Sequence, residues 1–431
     1  MENFELRGGV MHAEDVPLPE IAQAVGTPAY IYSSAAMERQ ARLFREALAP
    51  VGDPLIAYAV KANPNAAVLA TLARAGLGAD VVSGGELRRA IAAGIPAGKI
   101  VFSGVGKTRE EMQFACDSDI FQFNLESEPE AEMLSEVAVA AGCQARVAFR
   151  INPAIDAGTH AKISTGKSEN KFGIAEARAP AAYARAASLP GLEIQGIAIH
   201  IGSQLTDLSP LELAYAKIGS LIARLREAGH PISVADLGGG LGIAYDPDQP
   251  PPPTPADYGA MVTRVTRGWN VRLVFEPGRL LVGNAGILLT RVLRVKEGAG
   301  GPEATPFVIV DAGMNDLMRP TLYDAWHELR AVEPKGGHAI ANVVGPVCET
   351  GDTFAMARRM SQVDEGDLLA FMTSGAYAAT MASTYNSRPL APEVMVNGNR
   401  FAVVRDRQSI EALIGADLMP PWLQDKSTEQ S

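Results

Sequence analysis

Cysteine is scarce in this chain. Only Cys116, Cys143 and Cys348 occur among 431 residues, and none of them stands in a CxxC spacing. An odd number of cysteines without that spacing predicts neither a disulfide framework nor a zinc cluster. We therefore expect no metal site, and a reducing cytoplasm as the location of the protein.

Positive charge is also in short supply. The 38 Lys and Arg residues face 49 Asp and Glu residues, which gives a formal net charge of -11. Nucleic acids and anionic membranes bind proteins that carry an excess of Lys and Arg. This chain has no such excess, so neither is an expected partner. No uninterrupted apolar stretch reaches the roughly 18 residues of a membrane-spanning helix, and the opening MENFELRGG does not resemble a secretory signal. Small molecules and other proteins remain as expected partners.

Apolar residues, in contrast, are plentiful. They make up 47% of the chain, and charged residues make up 20%. This balance is typical of a globular protein and argues against extensive disorder. A length of 431 residues exceeds what one hydrophobic core usually supports, so the sequence predicts two domains.

Short β-branched runs recur eight times along the first two-thirds of the chain, with helix-like segments between them. Runs that are mostly apolar without strict alternation predict parallel strands that are buried on both faces. Eight strand–helix units favour a closed (β/α)8 barrel, and an open doubly wound sheet is the alternative. The predicted strands lie within residues 54–63, 78–83, 99–103, 119–124, 145–152, 193–201, 232–240 and 271–278.

The pattern changes beyond about residue 280. Segments such as PFVIVDAG and DLLAFMTSGAY are strand-like, but regular helices no longer separate them. We predict an α/β barrel over residues 34–280 and a β-rich domain built from residues 281–431. Residues 1–33 contain their own strand-like run, AYIYS, and are assigned to the same β-rich domain.

Polar residues or glycines follow each predicted barrel strand. The carboxyl ends of the strands form the catalytic face of a β/α barrel, so this end is the predicted active site. Any one of these residues alone could be ordinary loop chemistry, but all eight strands show the feature. They are Lys61, Ser83, Ser103, Asn124, Asn152, His200, Gly238 with Gly239 and Gly240, and Glu276.

Lys61 follows the apolar run LIAYAV, which would hold its stem in the barrel wall and point its amine into the mouth. Partial desolvation would lower the pKa of this amine and favour the neutral form that bonds to an aldehyde. An isolated lysine at a strand end more commonly extends into solvent, so the neighbouring residues decide between the two interpretations.

The loops after the last two predicted strands suit an anion. Three successive glycines, Gly238 to Gly240, let backbone N–H groups approach a phosphate, and barrels often bind phosphate at this position. Glu276 begins the motif EPGR after the eighth strand and needs a cationic partner, which is either Arg279 or a protonated pyridine nitrogen. His200 is either a core histidine or a flat ring stacked on a planar cofactor.

Seven motifs spread over nearly the whole chain resemble the diaminopimelate decarboxylases: AYAVKAN, HIGSQ, DLGGGLGI, EPGR, DAGMNDLMRP, GPVCETGD and SGAYAATMASTYNSRP. The resemblance implies the alanine-racemase-like fold type, with pyridoxal 5'-phosphate (PLP) as cofactor and a head-to-tail homodimer with shared active sites. It also implies a carboxy-lyase that converts meso-2,6-diaminopimelate to L-lysine and CO2, the last step of lysine biosynthesis. The β-rich domain would then carry loops for the substrate and the dimer interface.

The same resemblance implies roles for individual residues. Lys61 would carry the cofactor covalently, His200 would stack on its ring, and Glu276 would pair with its pyridine nitrogen. The residues implied for its phosphate or ring oxygen are Gly239, Gly278, Arg279 and Tyr377, and Ser203 is implied for the phosphate or for support of the stacked ring.

Substrate contacts are implied in a similar way. Glu349 would bind the distal ammonium, and Cys348 would protonate the substrate carbon after CO2 has left. Both would come from the partner chain. The alternative for Cys348 is a structural role, because a free cysteine is more often a small buried apolar residue. The residues implied for substrate carboxylate and polar contacts are Arg279, Arg319, Tyr323 and Tyr377.

Rival functions differ at these positions. A carboxylate such as Glu276 keeps a pyridine nitrogen protonated, which strengthens the electron sink that decarboxylation needs, whereas racemases of this fold type resemble one another in an arginine there. Ornithine and arginine decarboxylases resemble one another in an aspartate after the loop cysteine, where this chain has Glu349. A non-catalytic PLP-binding homologue could dispense with Cys348 and Glu349, and a barrel aldolase using Lys61 would not need Glu276.

Overall fold

The structure, a computed structural model, describes residues 4–156, 171–298, 300–301 and 304–423. It combines a closed parallel barrel, surrounded by helices, with a mainly antiparallel β-sheet. The predicted (β/α)8 barrel with a C-terminal β domain is therefore confirmed. Closure of the barrel excludes the open doubly wound sheet.

Residues before the barrel form four strands and one helix. These are β1 (Phe4–Arg7), β2 (Val10–Ala13), β3 (Val16–Pro17), α1 (Leu18–Val25) and β4 (Ala29–Ser33). The first three strands form a small antiparallel sheet of their own. β4 instead joins the large sheet formed by the C-terminal part of the chain.

The barrel contains eight parallel strands, and a short ninth strand extends it at β9. The strands are β5 (Leu55–Ala59), β6 (Gly78–Val81), β7 (Ile100–Phe102), β8 (Gln122–Leu125), β9 (Ala145–Asn152), β10 (Ile174–Ala175), β11 (Leu192–Ile199), β12 (Val234–Asp236) and β13 (Arg272–Phe275). Each barrel strand pairs with its neighbour, and β13 pairs with β5 to close the ring. All eight predicted strands are present.

Helices cover the outside of the barrel. They are α2 (Ser34–Leu48), α3 (Ala66–Arg74), α4 (Gly84–Ala92), α5 (Arg109–Asp117), α6 (Glu128–Ala141), α7 (Ala179–Ala187), α8 (Ser209–Glu227), α9 (Pro255–Val265) and α10 (Arg279–Val282). Side-chain caps fix the N-terminal ends of several of these helices. Thr108 and Glu111 form a capping box at α5, and Ser127 accepts the Glu130 N–H at α6.

The barrel interior is filled by small and branched apolar side chains, as expected for strands buried on both faces. Leu55, Ala57, Val101, Val234 and Val274 form one cluster, in which every member is buried. A larger apolar core lies between the strands and the surrounding helices. The barrel wall is therefore rigid enough to hold side chains at its rim in fixed positions.

Strand β12 is shorter than the predicted run because the backbone changes direction at its glycines. Gly238 and Gly240 have φ angles of 66° and 119°, which favour glycine over residues with a Cβ atom. The strand therefore ends at Asp236, and residues 238–240 form a loop at the mouth of the barrel.

The C-terminal part of the chain forms the second sheet. Its elements are β14 (Gly286–Lys296), β15 (Phe307–Val310), α11 (Arg319–Tyr323), β16 (Leu329–Ala331), β17 (His338–Val344), β18 (Thr353–Ser361), β19 (Leu368–Phe371), β20 (Glu393–Asn397), β21 (Arg400–Arg405) and α12 (Ile410–Ile414). β4 lies inside this sheet, antiparallel to β14 and parallel to β20. The domain boundaries at residues 34 and 280 stay a prediction. In the described ranges, no helix is long and apolar enough to cross a membrane.

Candidate active site

A cavity of about 520 Å³ opens at the carboxyl ends of the barrel strands. Its wall combines loops of the barrel with α11 and the loop around Tyr377. Of the residues to which the resemblance assigns a role, all except Cys348 and Glu349 line it. These residues are Lys61, His200, Ser203, Gly239, Glu276, Gly278, Arg279, Arg319, Tyr323 and Tyr377.

Lys61 lies in the short turn Val60–Ala62 that follows β5, and its amine contacts a carboxylate. The Nζ atom is 2.7 Å from Oδ2 of Asp80, a fully buried residue of β6. Burial opposes the charge of the amine, but Asp80 and Glu276 outweigh it and raise the pKa of Lys61. The expectation of a lowered pKa is therefore wrong, because two carboxylates at other strand ends hold Lys61 as an ammonium.

Glu276 lies in a buried polar cluster. Its Oε1 atom accepts hydrogen bonds from Ser103 Oγ at 3.2 Å and from Asn124 Nδ2 at 3.3 Å, and Asn124 also donates to Asp236 Oδ2 at 2.8 Å. Burial raises the pKa of Glu276 well above its usual value, and the charges of Asp236 and Asp80 raise it further. We call Asp80, Asp236 and Glu276, together with Lys61, the acidic region.

Arg279 does not neutralise Glu276. Its guanidinium instead donates to the hydroxyl of Tyr245 and, at 3.3 Å, to Ser203 Oγ. The alternative of an internal salt bridge between Glu276 and Arg279 is therefore wrong. A buried carboxyl group with a raised pKa is stabilised in its ionised form by any cation that enters the cavity beside it.

His200 presents a neutral ring to the cavity. Its Nδ1 atom accepts the N–H of Gly239 at 3.2 Å, so this nitrogen carries no proton. Burial lowers the pKa of His200 well below its usual value, and the charges of Arg150 and Lys61 lower it further. A flat, neutral ring of this kind can stack on a planar cofactor.

The glycine loops pack so closely against neighbouring segments that they leave no room for a side chain at Gly239 and little at Gly278. A Cβ atom on Gly239 would lie 2.2 Å from the carbonyl oxygen of Glu276. A Cβ atom on Gly278 would lie 3.1 Å from the Cβ of Ala59 and 3.2 Å from the hydroxyl of Tyr377. Backbone N–H groups in such loops bind phosphate oxygens, and Arg279 provides positive charge beside them.

Two arginines and three tyrosines form a second part of the cavity, which we call the arginine region. The guanidinium carbon of Arg279 lies 4.7 Å from the ring centroid of Tyr377. That of Arg319 lies 4.9 Å from the ring of Tyr245 and 6.0 Å from the ring of Tyr323. Guanidinium groups that are stacked in this way are well suited to bind carboxylates.

Tyr377 links the arginine region to the turn that carries Lys61. Its backbone N–H donates to the carbonyl of Ala62, next to Lys61, at 2.8 Å. Tyr377 has a φ of 54°, and this left-handed conformation directs the chain back toward the barrel. Movement of the loop around Tyr377 would therefore disturb Lys61 as well.

Cys348 and Glu349 are exposed in the loop between β17 and β18. The backbone N–H of Cys348 donates to Asn386 Oδ1 at 3.1 Å. A hydrogen bond to Glu349 raises the pKa of Tyr385. Neither residue lines the described cavity of its own chain, and their contribution to the site of a partner chain stays a prediction.

The sequence interpretation missed several residues of the site. Asp80 and Asp236 lie inside predicted strands, where acidic residues are rare, and this rarity was the available signal. Tyr245 follows the glycine loop, and Trp326 follows the motif DAGMNDLMRP; both line the cavity. Of the predicted strand ends, Ser103 and Asn124 support Glu276, whereas Ser83 caps α4 and Asn152 bonds to the Ala154 N–H.

Residues 34–283 match the family described as "Pyridoxal-dependent decarboxylase, pyridoxal binding domain". The diaminopimelate decarboxylase of Zymomonas mobilis is 57% identical over 422 residues, covering 97% of this chain and 99% of the relative. The chain belongs to the diaminopimelate decarboxylase family. The expected cofactor class, PLP, and the carboxy-lyase class are thereby confirmed.

Solved structures of this family agree with the fold. The diaminopimelate decarboxylase of M. jannaschii superposes with a TM-score of 0.93 at 36% identity and covers 98% of this chain and 99% of its own. The Helicobacter pylori enzyme complexed with L-lysine has a TM-score of 0.88 at 38% identity, covering 93% and 98%. A lysine/ornithine decarboxylase from Vibrio vulnificus, at 21% identity and a TM-score of 0.77, shares the fold.

The cavity fits the cofactor of the family. One cavity is lined by the amine of Lys61, the buried carboxyl group of Glu276 and the glycine loops near Arg279. They match, in that order, the aldehyde, the basic pyridine nitrogen and the phosphate of PLP. The raised pKa of Glu276 has a chemical consequence, because a buried carboxyl group whose ionised form is disfavoured gains from pairing with a protonated pyridine nitrogen.

Proposed function

We propose that this chain removes CO2 from meso-2,6-diaminopimelate and releases L-lysine. The observation that carries the proposal is the cavity itself, because Lys61, Glu276, Arg279 and Arg319 all line it. Relatives at 41–57% identity over nearly the full length are diaminopimelate decarboxylases, which favours this substrate over ornithine or arginine.

The acidic region would hold the cofactor and control its charge. Lys61 would bond to the aldehyde, and Asp80, 2.7 Å from the amine, would orient the lysine side chain. Glu276 would pair with the pyridine nitrogen, supported by Ser103 and Asn124. PLP supplies, when bound, an electron sink for the pair left behind on the substrate carbon.

The arginine region would hold the substrate. Diaminopimelate carries two amino acid head groups, so its recognition needs cations as well as anions. Arg279 and Arg319 can bind carboxylates through their planar forks, and Tyr323 and Tyr377 add hydroxyl groups. His200 would stack on the cofactor ring, and Ser203 and Gly239 would contact its phosphate.

The proton donor would come from a second copy of the chain. Cys348 and Glu349 lie outside the cavity of their own chain, on an exposed loop. We propose a homodimer in which Cys348 of one chain protonates the substrate carbon in the other site, while Glu349 binds the distal ammonium. Such a dimer would act on a small molecule in the cytoplasm.

A substrate panel tests the proposal. We expect purified protein with PLP to release CO2 from meso-diaminopimelate much faster than from L-ornithine, L-arginine or L-lysine. The measurement is CO2 release from the four amino acids at equal concentration, with the product identified by chromatography. Faster release from ornithine or arginine would overturn the proposed substrate, and no release from any of them would favour a non-catalytic PLP-binding protein.

A further inference from the structure

Arg319 is held by a buried histidine that the proposed function does not use. The Nε atom of Arg319 donates to Nε2 of His327 at 3.3 Å. Both residues are buried, with 6% and 2% of their surfaces exposed. His327 does not line the cavity, so it acts on the contents of the cavity only through Arg319 and its other neighbours.

The other ring nitrogen fixes the tautomer of His327. Nδ1 lies 2.9 Å from the carbonyl oxygen of Met372, and a carbonyl can only accept, so Nδ1 carries the proton. Nε2 then has a lone pair directed at the Nε–H of Arg319. Burial lowers the pKa of His327 to about 3, and the charges of Arg319, Arg279 and Arg358 contribute. The ring is therefore a neutral acceptor at physiological pH.

Two contacts determine the plane of the Arg319 guanidinium. His327 holds the Nε edge, and the ring of Tyr245 packs on the guanidinium at 4.9 Å. The rings of Tyr245 and His327 pack edge to face, with centroids 5.3 Å apart and an interplanar angle of 79°. Because Nε is used by the protein, the two Nη groups form the edge that can grip a carboxylate in a bidentate way.

His327 is itself firmly anchored. Its carbonyl oxygen accepts from Arg358 Nη1 at 3.0 Å, and Arg358 stacks on Trp326 at 4.2 Å. The backbone N–H of Met372 donates to the carbonyl of Glu328 at 2.9 Å, which joins this segment to the end of β19. The histidine is thus fixed to the sheet, and the sheet defines the direction of Arg319.

We propose that His327 is a positioning residue for substrate binding, which accepts the Nε–H of Arg319 and aims its two Nη groups at a substrate carboxylate. This inference rests on the proposed function in one respect, namely that the ligand of Arg319 is a carboxylate of the substrate. It assigns to His327 no contact with substrate or cofactor.

Two matched variants separate the two hydrogen bonds of His327. In His327→Gln the side-chain carbonyl can replace Nε2 as acceptor for Arg319. In His327→Asn the shorter amide can still donate to Met372 but does not reach Arg319. We expect His327→Asn to raise KM for diaminopimelate about 10-fold or more with a smaller change in kcat, because a hydrogen bond to a charged group is lost. His327→Gln should stay within about 3-fold of the wild type.

Pimelate, the same dicarboxylate without amino groups, gives a readout that does not need turnover. We expect calorimetry to show weaker pimelate binding by His327→Asn and by Arg319→Ala, with the PLP absorbance of the holoenzyme unchanged. In the Arg319→Ala background, His327→Asn should add little, since the histidine acts through the arginine.

Three results would overturn the inference: additive losses in the double variant, equal losses in His327→Asn and His327→Gln, or unchanged KM and pimelate affinity in His327→Asn while Arg319→Ala is impaired. Failure of the wild type to decarboxylate diaminopimelate would overturn the proposed function instead. The pimelate measurements would then still decide the role of His327.

Discussion

The two regions of the cavity differ in charge and in origin. The acidic region lies at the ends of the barrel strands, where Asp80 and Glu276 act on the charge of Lys61 and Asp236 acts on that of Glu276. The arginine region combines Arg279, from α10, with Arg319, from the segment beyond the barrel. On the proposed function, the barrel would provide the groups that set the charge of the cofactor, and the segment beyond the barrel would add a cation for a substrate carboxylate.

The comparison also teaches how each region is stabilised. In the acidic region, burial raises the pKa values of Glu276 and Asp236, and the charge of Asp80 raises both further. In the arginine region, tyrosine rings and His327 hold two cations close together, although burial and Arg279 lower the pKa of Arg319. The pyridine nitrogen of the cofactor would offset the negative charge of the acidic region, and a substrate carboxylate would offset the positive charge of the arginine region.

Loss of Lys61 is the most drastic way to break the acidic region. We expect Lys61→Ala to abolish both turnover and the absorbance of covalently bound PLP, since no other amine lines the described cavity. Absorbance spectra and CO2 release check this. Lys335→Ala is the control, because Lys335 lies on the surface in an ion pair with Asp364. Retained absorbance and activity in Lys61→Ala would remove the assignment.

Cys348→Ala tests whether a second chain completes the arginine region. We expect turnover to fall about 10² to 10⁴ fold because the proton donor is lost, while PLP stays bound. Mixing Cys348→Ala with Lys61→Ala chains should restore part of the activity, because one of the two sites in a mixed dimer is then intact. An unchanged rate would reassign the proton donor, and no complementation would place the whole site in one chain.

Glu276→Gln removes the charge of the acidic region but keeps its shape. We expect kcat to fall about 10²-fold, because an amide cannot hold the pyridine nitrogen in its protonated form. Asp236→Asn is the matched control and should have a smaller effect, since Asp236 does not line the described cavity. Equal effects of the two variants on kcat would contradict a direct contact between Glu276 and the cofactor.

The smallest expected effect concerns stability without cofactor. Folding raises the pKa of Glu276, so the folded state binds more protons than the unfolded state above the usual glutamate pKa. The free energy of unfolding should therefore decrease as the pH rises from about 4.5 upward. Thermal unfolding of cofactor-free Glu276→Gln should show a weaker decrease than the wild type. The same pH dependence in both proteins would contradict the raised pKa.

Much of the fold was accessible from sequence because its signals are local. Eight apolar runs that end in polar residues or glycines predict the barrel and its catalytic end, and β5 with Lys61 is a clear example. The sequence predicted that residues 1–33 belong to the β-rich domain, but it did not predict that β4 lies between β14 and β20. Pairing of strands that lie more than 250 residues apart depends on tertiary contacts that no local pattern contains.

The site was predicted less completely, for a related reason. Lys61, Glu276 and His200 stand out as single residues after strands, but the pKa of Lys61 depends on Asp80, which the barrel brings within 2.7 Å. The stagger of neighbouring strands decides that distance, and the sequence of either strand alone does not show it. His327 was missed because a histidine eight residues after Arg319 has no obvious periodic relation to it.

The central claim is that Lys61 carries PLP covalently. Holoprotein reduced with borohydride and digested should yield a pyridoxyl group on the peptide AYAVKAN, at Lys61, when the peptides are analysed by mass spectrometry. A pyridoxyl group on a different lysine, or on none, would contradict the account.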